Sequence, residues 1–348
     1  MSPYMLVIMI FSLILGTLIT ISSSYWLTAW MGLEINTLAI IPLMIQKFSP
    51  RTMEAAIKYF VIQTTATTTL LIASISNAWT LGQWKIQQIN HPIPLMMISL
   101  ALALKLGLSP VHAWFPEIIQ ALDLLVGLTL STWQKLAPLS LMIQLPNNNF
   151  TLIITLSLLS ILMGGWGGLN QTQLRKILSY SSIAHLGWMM LVLLYCPTLT
   201  LLTFTLYSIL TFAMFYTFWH NQTTSINALS TSWTKNPILL VLSSLILLSL
   251  GGLPPLTGFL PKWMILLELV KQSLTLTATI AALSTLLSLY FYLRLSYTMA
   301  LTSPPNNLPA ILPWRFNSTQ PLIYMTTSAI VSLCFLPLTP LITTFLFP

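Results

Sequence analysis

No charged side chain precedes Glu34, none lies between Lys176 and Lys235, and none between Lys235 and Lys262. Apolar runs of about 20 residues, the helix length that crosses a hydrocarbon layer of roughly 30 Å, recur along the chain with short polar connections between them. Backbone N–H and C=O groups at that depth must be satisfied within the spanning structure, which leaves helices or a closed barrel. A barrel would show short alternating segments instead of unbroken apolar runs. With 5% charged and 56% hydrophobic residues among 348, against about 25% charged in soluble domains, the chain reads as an all-α polytopic membrane protein.

Helices are expected near 3–22, 25–45, 53–78, 95–121, 124–144, 149–169, 174–195, 198–220, 237–271, 274–300 and 323–345, about eleven crossings. They form a single transmembrane bundle over 1–348, with a first unit near 1–144, a second over 149–300 and a final helix at 323–345. Turn-rich connections such as Gln46–Arg51, Gln83–Pro92, Asn221–Pro237 and Ser303–Pro321 separate them. The first residues lack a basic stretch and a small-residue cleavage site, so they read as a membrane helix and not as a signal or transit peptide. That implies bacterial insertion or synthesis within an organelle.

Cys196 and Cys334 are far apart with no CxxC spacing, so no iron–sulfur, zinc or redox motif is expected. Gly164–Gly168 (GGWGG) reads as a helix-packing patch of small residues, not a phosphate loop. The sequons at Asn149, Asn170, Asn221 and Asn317 are incidental in a Thr-rich chain.

The formal charge is +8, and its distribution carries the information. With eleven crossings, loops on the N-terminal side hold Lys47, Arg51, Arg175, Lys176, Lys235 and Arg315, whereas the other side holds Lys85 and Lys271. The positive-inside rule places the N-terminus on the cytoplasmic or matrix side and, for an odd count, the C-terminus opposite. Charges scattered among short loops form no nucleic-acid surface.

Two segments match at an offset of 145 residues: Gly107–Glu117 (GLSPVHAWFPE) and Gly252–Lys262 (GLPPLTGFLPK). They lie on the fourth and ninth crossings, five apart, so the units carrying them are expected to be inverted five-helix repeats. The segment 237–271 is too long for one straight crossing, and it contains Pro254, Pro255 and Pro261. Proline removes a helical hydrogen bond and clashes with the preceding turn, so breaks are expected near 109–110 and 252–257. Unwound backbone at bilayer depth persists only when buried in protein or lining a wet cavity.

Lys105, Lys135 and Lys262 lie in these apolar segments, as do Glu34 and His185. A lysine at mid-bilayer costs about 3 kcal/mol on insertion scales, so it faces a bundle interior or water-filled space. Such a string of ionisable groups points to a path for protons or ions. Each also has a structural reading: Glu34 with Lys105 as a static buried pair, His185 as a hydrogen-bonding helix contact. Glu54 and Lys58 have the i,i+4 spacing of a local pair, while Glu117 and Asp123 suit hydration or capping of a short connection. Met and Trp suit lipid contact and interfacial anchoring.

The motifs Trp30–Leu43 (WMGLEINTLAIIPL), Glu54–Gln63 (EAAIKYFVIQ), Lys105–Glu117 (KLGLSPVHAWFPE), Ser131–Pro138 (STWQKLAP), Leu174–Gly187 (LRKILSYSSIAHLG) and Gly251–Trp263 (GGLPPLTGFLPKW) occur in this order. The chain thereby resembles the antiporter-like membrane subunits of NADH:ubiquinone oxidoreductase, respiratory complex I, which are related to subunits of sodium/proton antiporters. The resemblance implies two inverted five-helix units with one broken helix each, and it fits the family's short members, which lack three N-terminal helices. It implies proton translocation through Glu34 paired with Lys105, then Lys135, His185 and Lys262, with His112 as a candidate relay. NADH, FMN, iron–sulfur clusters and ubiquinone are implied for partner subunits and no cofactor for this chain. The implied partners are other membrane-arm subunits and lipids, cardiolipin among them, in the mitochondrial inner membrane. The alternatives are a sodium/proton antiporter subunit without redox partners and a membrane scaffold with vestigial titratable groups.

Overall fold

The computed structural model describes residues 3–89, 91–146, 150–232, 237–300, 323–334 and 336–338. Lys235, Arg315, Asn149, Asn317 and the end of the expected final helix lie outside the described residues. Two compact units divide the chain, Met1–Ser160 and Ile161–Pro348.

The first unit begins with α1 (Pro3–Ser22), α2 (Trp26–Met44) and α3 (Pro50–Leu81). α1 and α2 cross closely because Gly16 faces Gly32: a Cβ on Gly32 would lie 2.9 Å from the Gly16 carbonyl oxygen, and one on Gly16 would run into Asn36. Contact between small residues is what holds helices together where burial from water offers no driving force. α3 starts in a capping box, with Ser49 Oγ accepting from Thr52 N–H and Thr52 Oγ1 accepting from Ser49 N–H, and Pro50 follows where a missing N–H costs nothing. It ends at Gly82, left-handed at φ 70°.

The expected fourth crossing is α4 (Pro92–Leu106) and α5 (Trp114–Ala121), separated by non-helical residues 107–113. Gly107, at φ 78°, caps α4 by donating to the Ala103 and Leu104 carbonyls. The fifth crossing departs from expectation. It is divided into α6 (Leu124–Ser131) and α7 (Trp133–Gln144) at Thr132, where Lys135 N–H bonds to the Thr132 carbonyl three residues back. The sequence offers no glycine or proline at that point; Pro138 falls within α7.

α8 (Phe150–Gly168) precedes α9 (Leu174–Leu193) and α10 (Pro197–Asn221) of the second unit. The small-residue patch packs as expected: a Cβ on Gly164 would lie 2.7 Å from Ala184 N, and one on Gly168 would lie 2.8 Å from the Phe291 ring. A short helix, α11 (Ile226–Thr231), occupies part of the connection read as a loop, started by Ser225 Oγ accepting from Ala228 N–H. The ninth crossing is α12 (Pro237–Gly251) and α13 (Phe259–Lys271), broken over 252–258 as expected. α14 (Thr275–Ala300) and α15 (Ile323–Cys334) are the last α-helices among the described residues, followed by a 3-10 turn at Leu336–Leu338. Among the described residues, seven helices are by themselves long and apolar enough to span a membrane, and the broken segments supply shorter apolar helices.

Each unit contains a further device that the sequence did not announce. Trp26 N–H donates to the Trp84 carbonyl and Ile86 N–H to Ser24, both at 3.1 Å, tying the start of α2 to the residues after α3. Leu174 N–H to Thr224 and Ile226 N–H to Thr172, also at 3.1 Å, tie α9 to the residues after α10 in the same way. These paired backbones clamp the helices that carry Glu34 and Tyr59 in one unit, and His185 and Tyr207 in the other.

Candidate functional site

In the first unit, α2, α3, α4, α5, α6 and α7 line a cavity of about 20 Å³, enough for one water molecule. Lys105 and Lys135 both line it, 7% and 2% exposed. Lys105 occupies the last turn of α4, where unpaired carbonyls favour a cation. Lys135 occupies the first turn of α7, beside the interruption at Thr132, and its Nζ lies 4.8 Å from the Phe115 ring centroid on α5, within cation–π range. Gln134 Nε2 donates to the Asn36 carbonyl at 3.2 Å, linking α7 to α2. Tyr59 and Gln63, one turn apart on α3, add polar lining, and the buried Trp114 Nε1 has no acceptor among the described residues. A buried donor of this kind calls for ordered water.

Glu34 is half-buried on α2, and its Oε2 accepts from Thr37 Oγ1 at 3.2 Å. Thr37 lines the cavity. Glu34 and Lys105 make no direct ion pair: the pairs among the described residues are Lys47–Asp123, Lys58–Glu54, Lys58–Glu117 and Lys271–Glu268. Glu54–Lys58 is the expected local pair, at 2.9 Å. Glu117 and Asp123, read as hydrated or capping, instead pair with Lys58 at 3.2 Å and Lys47 at 3.0 Å; Asp123 is the residue before α6 but makes no side-chain cap. All these lysines and carboxylates except Glu268 are well exposed, so the pairs contribute little net stability. His112 sits in the break with Nδ1 3.3 Å from the Pro110 carbonyl oxygen, and it is not among the residues lining the Lys105–Lys135 cavity.

The second unit has a cavity of similar size lined by His185 of α9, Thr203 and Tyr207 of α10, and Gly258 and Lys262 at the α12–α13 break. The His185 and Tyr207 rings lie 5.4 Å apart, centroid to centroid. Lys262 Nζ donates to the Gly251 carbonyl at 2.7 Å, so a lysine from the second half-helix caps the end of the first. The buried Ser179, Ser181 and Ser182 bond back to carbonyls of their own helix, which hides their hydroxyls from the apolar interior.

The structure thus brings Lys105 together with Lys135, and His185 with Lys262. Tyr59, Gln63, Gln134 and Tyr207 were missed. Their signal was present, since Tyr59 and Gln63 recur at i,i+4 in an apolar helix, but it matches that of any satisfied polar contact. The lysines are not equivalents in the repeat: Lys105 precedes its break and Lys262 follows its own, where the matching position in the first copy is Glu117. Among the described residues no three His, Cys, Asp or Glu side chains group so as to hold a metal.

A family profile described as "NADH:quinone oxidoreductase/Mrp antiporter, TM" matches residues 23–288, and "NADH dehydrogenase subunit 2 C-terminus" matches 289–343. The chain is 63% identical to NADH-ubiquinone oxidoreductase chain 2 of Tetraodon nigroviridis, covering 98% of each chain, and 59% identical to that of Salmo salar, covering 99% of each. In fold it is similar to a chain of respiratory complex I from Thermus thermophilus, with TM-score 0.85 and 23% identity over 98% of this chain and 80% of that one. A chain of the Mrp complex from Dietzia sp. DQ12-45-1b gives TM-score 0.76 and 17% identity over 85% of this chain and 61% of that one. With profile matches covering most of its length and relatives near 60% identity, this membrane-spanning chain belongs to the NADH-ubiquinone oxidoreductase chain 2 family, within the antiporter-like membrane subunits.

Proposed function

We propose that the chain is a proton-translocating subunit of respiratory complex I in the mitochondrial inner membrane, driven by NADH oxidation and ubiquinone reduction in partner subunits. The observation that carries this reading is that each unit places a lysine and a second titratable side chain around a water-sized cavity beside a helix interruption, with Lys105 and Lys135 buried and His185 and Lys262 half-buried. A buried lysine balances the cost of desolvating its ammonium against the attraction of nearby carboxylates and carbonyls. A shift in that balance loads or releases a proton. Lys105, with Glu34 one helix away, is assigned the switching role in the first unit; Lys135 is its exchange partner across the cavity. His185 and Lys262 are assigned the corresponding roles in the second, and His112 a relay at the first break.

The N-terminus is assigned to the matrix side and the C-terminus to the intermembrane space. Partners are other membrane-arm subunits and lipids, including cardiolipin; an apolar groove of about 450 Å³ lined by Leu6, Ile10, Leu13, Leu43, Leu125 and Trp133 suits an acyl chain. NADH, FMN, iron–sulfur clusters and ubiquinone are assigned to partner subunits. The likeness to an Mrp chain supports a second reading, an antiporter subunit without redox partners, but near 60% identity to chain 2 relatives favours the first. Purification of the chain together with flavin- and iron–sulfur-bearing subunits separates the two. In the assembled complex, Lys105→Ala is expected to lower protons moved per NADH oxidised while assembly persists. An unchanged ratio would remove Lys105 from the mechanism.

A further inference from the structure

Gly107 and Gly252 hold the same place in the two copies of the repeat and the same left-handed backbone, φ 78° and φ 81°. Their surroundings differ. A Cβ on Gly107 would meet the rings of Trp114 and Phe115 at 3.4 Å and beyond, ordinary contact distances. One on Gly252 would lie 2.8 Å from Lys262 Cδ, 3.0 Å from Nζ and 3.1 Å from Cε. The Lys262 side chain therefore runs across the face of Gly252 to reach the Gly251 carbonyl.

We propose that Gly252 is a positioning residue for Lys262: its missing side chain leaves the passage through which the ammonium group caps the end of α12. The negative end of a helix attracts a cation within its last turn, and Lys262 reaches that end from the far side of the break. The lysine thereby bridges two half-helices that share no continuous backbone hydrogen bonding. Gly107 meets only the backbone requirement, because Lys105 lies on the near side of its break. The titratable groups around Lys262 are His185 from α9, Tyr207 from α10 and Tyr292 from α14, whose ring lies 3.7 Å from a Cβ built on Gly251. The functional weight of this placement rests on the proton-translocation reading; the placement itself rests on geometry.

The test compares Gly252→Ala with Gly107→Ala in the assembled complex, since both alanines carry the same backbone strain. Two quantities are measured: acetylation of Lys262 against pH, read by mass spectrometry, and the pH profile of proton pumping. Gly252→Ala is expected to change Lys262 acetylation several-fold and to displace the pumping profile, while Gly107→Ala leaves Lys262 acetylation as in the parent. Equal Lys262 acetylation in both variants would overturn the proposal. If Gly252→Ala does not assemble, Gly252→Ala/Lys262→Ala removes the side chain in the way and is expected to restore assembly to the level of Gly107→Ala; failure to do so also overturns it. Altered acetylation with an unmoved pumping profile would keep the positioning role and reject the role of Lys262 in pumping.

Discussion

At the scale of single residues, the site depends on side chains that hold the lysines as much as on the lysines themselves. Gln134 adjoins Lys135 in sequence and is tied to the Asn36 carbonyl across 98 positions. Gln134→Leu removes one partly buried hydrogen bond, a loss of about 0.5–1.5 kcal/mol, and is expected to lower the melting temperature of the purified assembly modestly. No change in melting would show that the α2–α7 link is dispensable. Glu34, Lys105, Lys135, His185 and Lys262 were legible because charge or imidazole inside an apolar run is costly enough to require a reason. The partners were not legible. The Glu34–Thr37 contact has the i,i+3 spacing of helix neighbours, but that Glu34 makes no ion pair with Lys105, and that Lys262 turns back to Gly251, depends on rotamers and helix rotation that no spacing encodes.

At the scale of elements, proline and glycine located two breaks correctly, since Gly107 and Gly252 end α4 and α12 in left-handed conformation. The interruption at Thr132 escaped because it lacks either residue. The clamps between Trp26 and Trp84 and between Leu174 and Thr224 escaped because they are backbone pairs between loops, independent of side-chain type. The glycine patch of α8 provides the element-scale prediction. A Cβ on Gly164 alone approaches the α9 backbone at Ala184, so Gly164→Leu is expected to destabilise the protein by about 1–3 kcal/mol, the usual cost of overpacking. Trp166→Leu, at a position 69% exposed on the same helix, serves as the control. Thermal denaturation of the solubilised complex measures both, and equal melting of the two variants would refute the packing role.

At the scale of the whole molecule, the all-α membrane architecture followed from apolar run lengths, and the family from motif order. The proposed orientation rests on loop charge: counted over eleven expected crossings, Lys47, Arg51, Arg175, Lys176, Lys235 and Arg315 fall in loops expected on the N-terminal side, and Lys85 and Lys271 in loops expected on the other. An N-terminal tag is therefore expected to resist protease in mitoplasts, which expose the intermembrane-space face; cleavage there would reverse the assignment. The central claim is that buried lysines act by gaining and losing protons, which separates a conduit from a scaffold bearing fixed charges. Lys105→Arg tests it most directly, because guanidinium keeps the charge but does not give up its proton under protein conditions. Protons translocated per NADH oxidised, measured with the assembled variant in proteoliposomes, are expected to fall below the parent value although the charge remains. A parent-level ratio in that variant would contradict the account.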